Sequence, residues 1–90
     1  MTLYTFIMEY RGGTYVAQVR ARSVQAAARR WASTLEPADV ALFGPAAKRQ
    51  LIVQIAADTP TPLAGLVGAW CLSPLVRNHL ALINVVETVG

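Results

Sequence analysis

Two runs of alternating side chains meet at a glycine turn near the start of the chain, which leaves the first quarter of the fold little freedom. Leu3 to Tyr10 puts Tyr4, Phe6, Met8 and Tyr10 on one side and Leu3, Thr5, Ile7 and Glu9 on the other. Thr14 to Arg22 alternates more cleanly: Tyr15, Ala17, Val19 and Ala21 share one face, and Thr14, Val16, Gln18, Arg20 and Arg22 share the other. Between them, Arg11-Gly12-Gly13 supplies glycines that accept the positive φ of a tight turn. The pattern predicts a β-hairpin.

A helix is expected next. Ser23 stands where an N-cap belongs, its hydroxyl able to accept from the backbone N–H groups of the first turn. Behind it Val24, Ala27, Ala28, Trp31, Ala32 and Leu35 fall at helical spacing, with Gln25, Arg29, Arg30 and Ser33 off the stripe. Pro37 closes the segment, because proline disfavours the α conformation in the residue before it. Asp39 to Gly44 reads as either a short strand or a loop. Pro45 suits the first turn of a second helix over residues 46–58, with Ala47, Leu51, Ile52 and Ile55 inward. A strand over Gln50 to Ala56, resting on Leu51-Ile52-Val53, competes with it; the flanking alanines favour helix.

Thr59-Pro60-Thr61-Pro62 reads as an extended connector and Leu63 to Gly68 as a loop. A second hairpin is expected from Ala69–Val76 and Leu80–Val89, turning at Arg77-Asn78-His79. Leu80 to Val86 is almost continuously apolar, the mark of a strand covered on both faces. The element order is ββα(α)ββ. It describes a single α+β domain over residues 1–90, with about four antiparallel strands and one or two helices packed on one face.

That layout gives the composition a meaning. The chain is 54% hydrophobic and only 14% charged, against about 25% charged in ordinary soluble domains. Helices on one side cover one sheet face, yet the last strand is apolar on both, with Leu80, Leu82 and Val86 opposite Ala81, Ile83, Val85 and Val89. A second buried surface is therefore expected, with Leu80, Leu82 and Val86 as the face of a homodimer or of a protein partner.

The remaining chemistry is sparse. Cys71 and His79 form the one conceivable nucleophile–base pair, but if the last hairpin turns at Asn78 they stand roughly 25 Å apart along one arm. Cys71 then reads as a small buried hydrophobe beside Trp70, and His79 as a solvated turn residue. One His, one Cys and five scattered acids give no metal-ligand spacing, and no phosphate-loop pattern occurs. No catalytic residue, cofactor or metal is expected. Trp31 belongs to the core stripe, and Trp70 reads as core or as a binding platform.

The net charge is +3, and seven of the eight basic residues are Arg. Arg20 and Arg22 on the non-core face of the second strand, with Arg29 and Arg30 on the open face of the helix, are the candidate contacts for a partner or for nucleic acid. A small ligand held between sheet and helix is a third reading. A lone cysteine suits a reducing cytoplasm, and the opening residues hold no basic segment before an apolar run. The uncharged stretch from Thr59 to Val76 is broken by Pro60, Pro62, Pro74, Gly65 and Gly68, so no membrane helix is expected there.

Over residues 4–35 the chain reads as a hairpin with a glycine turn, then a Ser-capped, alanine-rich helix: YTFIMEYRGGTYVAQVRARSVQAAARRWA. This run resembles the opening of HicB-type antitoxin domains. The likeness covers about a third of the chain and implies a non-enzymatic partner protein that masks a small toxin ribonuclease. The family's Pro-x-x-Gly-Cys segment has no counterpart here, and no functional residue is carried over. The whole chain, including its closing AWCLSPLVRNHLALINVVET, is also similar to small bacterial proteins with no assigned activity.

Overall fold

The first hairpin forms as β1 (Thr2–Tyr10) and β2 (Gly13–Ala21), in a computed structural model that describes residues 1–90. Its turn has two central residues, Arg11 at φ 48° and Gly12 at φ 86°, the mirror-image geometry whose twist matches that of the flanking strands. Gly13 is already strand. A Cβ there would collide with the Tyr15 ring, whose hydroxyl reaches across to accept from the Ala41 N–H at 3.1 Å.

Ser23 caps α1 (Val24–Thr34) through its hydroxyl, which accepts from the Ala26 N–H at 3.2 Å. Ala27, Ala28, Trp31 and Ala32 are buried, with Val24 and Leu35 packed at the margin, as the stripe predicts. Asp39 to Gly44 contains no strand. A 3-10 turn at Pro37–Asp39 leads through Val40 and Phe43, both buried, into α2 (Gly44–Ala57). Helix therefore prevails over strand in Gln50 to Ala56. Ala47, Leu51 and Ile55 point inward, but Ile52 is 36% exposed. One residue beyond Leu51, it is rotated by about 100° off the buried stripe.

The C-terminal half builds β3 (Thr61–Pro62), β4 (Ala69–Leu72), β5 (Leu75–Val76) and β6 (His79–Thr88). The antiparallel sheet has the order β2-β1-β6-β4-β3, with β5 also on β6. β4 and β5 share one register, Leu72 lying opposite Ile83 and Leu75 opposite Leu80. They are the expected Ala69–Val76 arm, interrupted at Ser73-Pro74. Pro74 has no N–H to offer, though its carbonyl accepts from Ala81 at 2.9 Å. Six strands thus arise from the four expected arms, one of them split, plus two residues of the connector.

Two details differ from expectation. The second turn is Arg77 (φ 53°) and Asn78 (φ 65°) alone, so His79 opens β6 instead of sitting in the turn. Leu80 to Val86 is covered by the chain on one face only: Ala81, Ile83 and Val85 are fully buried, whereas Leu80 is 54% and Val86 40% exposed.

Both helices lie on the side of the sheet that carries Tyr4, Phe6, Met8 and Tyr10, giving a two-layer α+β domain. Phe6 and Trp31 stack across the layers with centroids 5.2 Å apart and planes 4° from parallel. At the turn end of the sheet, Phe43 meets Tyr10 edge-on at 5.6 Å, and the Tyr10 hydroxyl donates to the Val76 carbonyl at 3.2 Å. No helix is long and apolar enough to cross a membrane.

Candidate functional site

Register decides which residues share the face that no helix covers. Thr5 pairs with Gln18 on one side and Val86 on the other; Ile7 pairs with Val16 and Asn84; Glu9 pairs with Thr14 and Leu82. On the far side of β6, Asn84 pairs with Cys71 and Leu80 with Leu75. Paired residues point the same way. Leu80, Leu82 and Val86 therefore share one surface with Leu3, Ile7, Val16 and Leu75, a grouping that alternation within single strands does not reveal. Leu75 and Val16 are more than half exposed. Cys71 also lies here, half-buried, instead of in the core beside Trp70. Trp70 faces the helical side, edge-on to Tyr4 at 6.0 Å.

The charged strand residues of this face stand at opposite ends. Glu9 lies beside the first turn, and Arg20, opposite Leu3, lies at the far end. Arg20 directs its guanidinium to the carbonyls of Gly90 at 3.2 Å and Met1 at 3.5 Å, so it ties the two ends of the chain to the hairpin. Arg30 donates to the Arg20 carbonyl at 3.1 Å and shares a small depression with Arg22. Three of the four candidate arginines thus gather at one end of β2. Arg29 is exposed on α1 and makes no side-chain hydrogen bond.

A groove of about 430 Å³ runs along the other part of β2. Its floor includes Tyr15, Ala17 and Val19, and its wall is built by Trp31 and Leu35 from the end of α1 and by Glu36 and Asp39 around the 3-10 turn. No basic residue lines it. Glu36 and Asp39 looked unrelated in sequence because the 3-10 turn that brings both to the groove has no periodic signal. Arg11 and Arg77 were likewise not singled out. They occupy the two turns, which the β1–β6 pairing brings to one end of the sheet, where both border a depression at the start of α2.

Cys71 and His79 do not meet. Cys71 lies opposite Asn84, five residues along β6 from His79, or about 17 Å at the rise of a strand. No group of three or more His, Cys, Asp or Glu side chains is placed to hold a metal ion. The geometry presents two surfaces: a bare sheet face whose apolar side chains are interspersed with Thr5, Gln18, Asn84 and Thr88, and a groove at a sheet edge. Compared with protein-family models, with curated proteins and with solved structures, the chain matches none.

Proposed function

We propose that this chain is a protein–protein interaction module that self-associates through the bare face of its sheet. The observation that carries this reading is the uncovered side of β6, where Leu80 and Val86 stay exposed beside Leu82 while the core-facing Ala81, Ile83 and Val85 are fully buried. β1 and β6, nine and ten residues long, extend about 30 Å, and the paired strands span about 20 Å across. A flat face of that size offers about 600 Å² before side-chain relief is counted, near the ~800 Å² per partner of a standard interface.

The charges also favour a second copy. A two-fold axis in the plane of the interface, perpendicular to the strands, sets Glu9 of one copy over Arg20 of the other, twice. Sheets packed this way bury their apolar faces about 10 Å apart. A HicB-like antitoxin is one concrete form of such a module, carried by residues 4–35 alone.

Size-exclusion chromatography with light scattering tests the reading. At about 100 µM, well above the Kd of a standard interface, the expected mass is twice the 9.7 kDa of the chain. A monomer at that concentration overturns it.

A further inference from the structure

The two edges of the sheet differ in what meets their backbone. On the β4–β5 side, the outward groups have partners: Thr61–Pro62 pairs with β4, and Leu63 donates to the Ala69 carbonyl at 3.0 Å. Gln54 engages both backbone groups of Leu75, and Gln50 accepts from the Arg77 N–H at 2.7 Å. Covering and proline of this kind keep a strand edge from pairing with another chain.

β2 has no such protection over its middle. Its two-residue turn makes Tyr10–Gly13 a hydrogen-bonded pair, so Tyr15, Ala17 and Val19 also bond to β1. Thr14, Val16 and Gln18 therefore direct their N–H and C=O groups away from the sheet, and nothing meets them. Only at Arg20 does a side chain intervene, where Arg30 takes the carbonyl. The groove lies along this open stretch, so unpaired backbone, apolar floor and two carboxylates adjoin one another.

We infer that β2 is a docking edge for an extended segment of another protein. The segment adds as a further strand beside Thr14–Gln18 and sets alternate apolar side chains against Ala17, Trp31 and Leu35. It carries Lys or Arg at the end that meets Glu36 and Asp39. Charge complementarity selects the basic end, because the groove holds two acids and no base. Self-association through the bare face leaves the outward backbone groups of this edge unpaired, with Thr14, Val16 and Gln18 bordering both surfaces.

The test uses the full chain, isotope-labelled, with two octapeptide probes: Lys-Lys-Val-Thr-Val-Thr-Val-Thr and its counterpart with Glu-Glu in place of Lys-Lys. In the isolated chain the amides of Thr14, Val16 and Gln18 are expected to exchange freely. The lysine probe should slow them by about tenfold or more while leaving the β4–β5 edge unchanged. The glutamate probe should bind about tenfold more weakly, and Glu36→Lys with Asp39→Lys should reverse that preference. Val16→Pro removes one outward N–H without touching a β1 bond and should weaken the lysine probe about tenfold. The charge-reversed variant, altered only at exposed positions, keeps the test decisive if the proline variant unfolds. Protection absent or elsewhere, equal binding of the two probes, or full binding by a folded Val16→Pro chain overturns the proposal. So does concentration-dependent protection of these amides without peptide, which would give the edge to a second copy.

Discussion

Gln54 holds Leu75 by both of its backbone groups: its Oε1 accepts from the Leu75 N–H at 3.0 Å, and its Nε2 donates to the Leu75 carbonyl. One helical turn earlier, Gln50 accepts from the Arg77 N–H at 2.7 Å. These two side chains complete the outer edge of β5, whose two residues are too short a strand to hold α2 by packing alone. Replacing Gln54 by Leu keeps the volume and removes both bonds. The expected cost is about 1–2 kcal/mol, since each net hydrogen bond is worth about 1 kcal/mol. A urea titration should show the lower midpoint, and amide exchange should quicken at Leu75. Gln50→Leu should instead quicken exchange at Arg77.

The Phe6–Trp31 stack joins sheet to helix at the centre of the core, with Phe6 fully buried and Trp31 3% exposed. Trp31→Ala leaves a cavity that the rest of α1 cannot fill, because its other buried residues are Ala27, Ala28 and Ala32. The expected loss is about 3–5 kcal/mol, a large share of the 5–15 kcal/mol that holds a typical domain. Trp31→Phe keeps an aromatic partner for Phe6 and should lose about half as much. Equilibrium unfolding of the two variants checks the order; equal losses would mean that a smaller ring recovers nothing and the full indole is required.

Arg11 and Arg77 sit at positive φ in their turns, where a residue with a Cβ is strained. Arg11→Asn converts the first turn to Asn-Gly, the pair this geometry favours most, and Arg77→Gly relieves the second. Each should raise stability by about 0.5–1 kcal/mol, or a few degrees in Tm for a chain this size. Scanning calorimetry reads the shift. A fall in Tm for either variant would show that the arginine makes a compensating contact at the turn end of the sheet.

Those turns explain why the hairpins were legible in sequence. Alternation and turn chemistry are local, as are the Ser23 cap and the Val24–Leu35 stripe, so each reads correctly before any tertiary contact is known. α2 needed the alanines to outweigh Leu51-Ile52-Val53, and the single error in its inward face, Ile52, came from treating neighbours as one stripe. Strand order is another matter. That β1 lies between β2 and β6, that β2 is an open edge, and that Pro62 helps close the other edge all depend on pairings between residues as much as 85 positions apart. Cys71 illustrates the consequence. Its identity suggests burial, but its register opposite Asn84 puts it on the bare face. The uncovered apolar side of β6 was legible because β6 is apolar on both sides, a signal carried within one strand. The groove was missed because its parts come from three separate segments.

The bare face yields the last prediction. Replacing Leu80, Leu82 and Val86 together by Thr removes apolar surface while keeping residues that favour strands. Ala81, Ile83 and Val85, which face the core between them, are untouched, so the fold should survive. Light scattering should then report a single-chain mass at concentrations where the parent chain is double. The parent's apparent stability should rise by about 1.4 kcal/mol for each tenfold increase in concentration, and the variant's should not change. Val53→Thr, an exposed position on α2 across the molecule, should leave assembly intact. Charge offers an independent check. Glu9→Arg sets like charges over Arg20 of the second copy and should weaken the dimer, more so at low salt. Adding Arg20→Glu should restore it if the two-fold axis runs perpendicular to the strands. A dimer that tolerates the threonine triple variant would place the interface elsewhere, and one that ignores the charge swap would require a different axis.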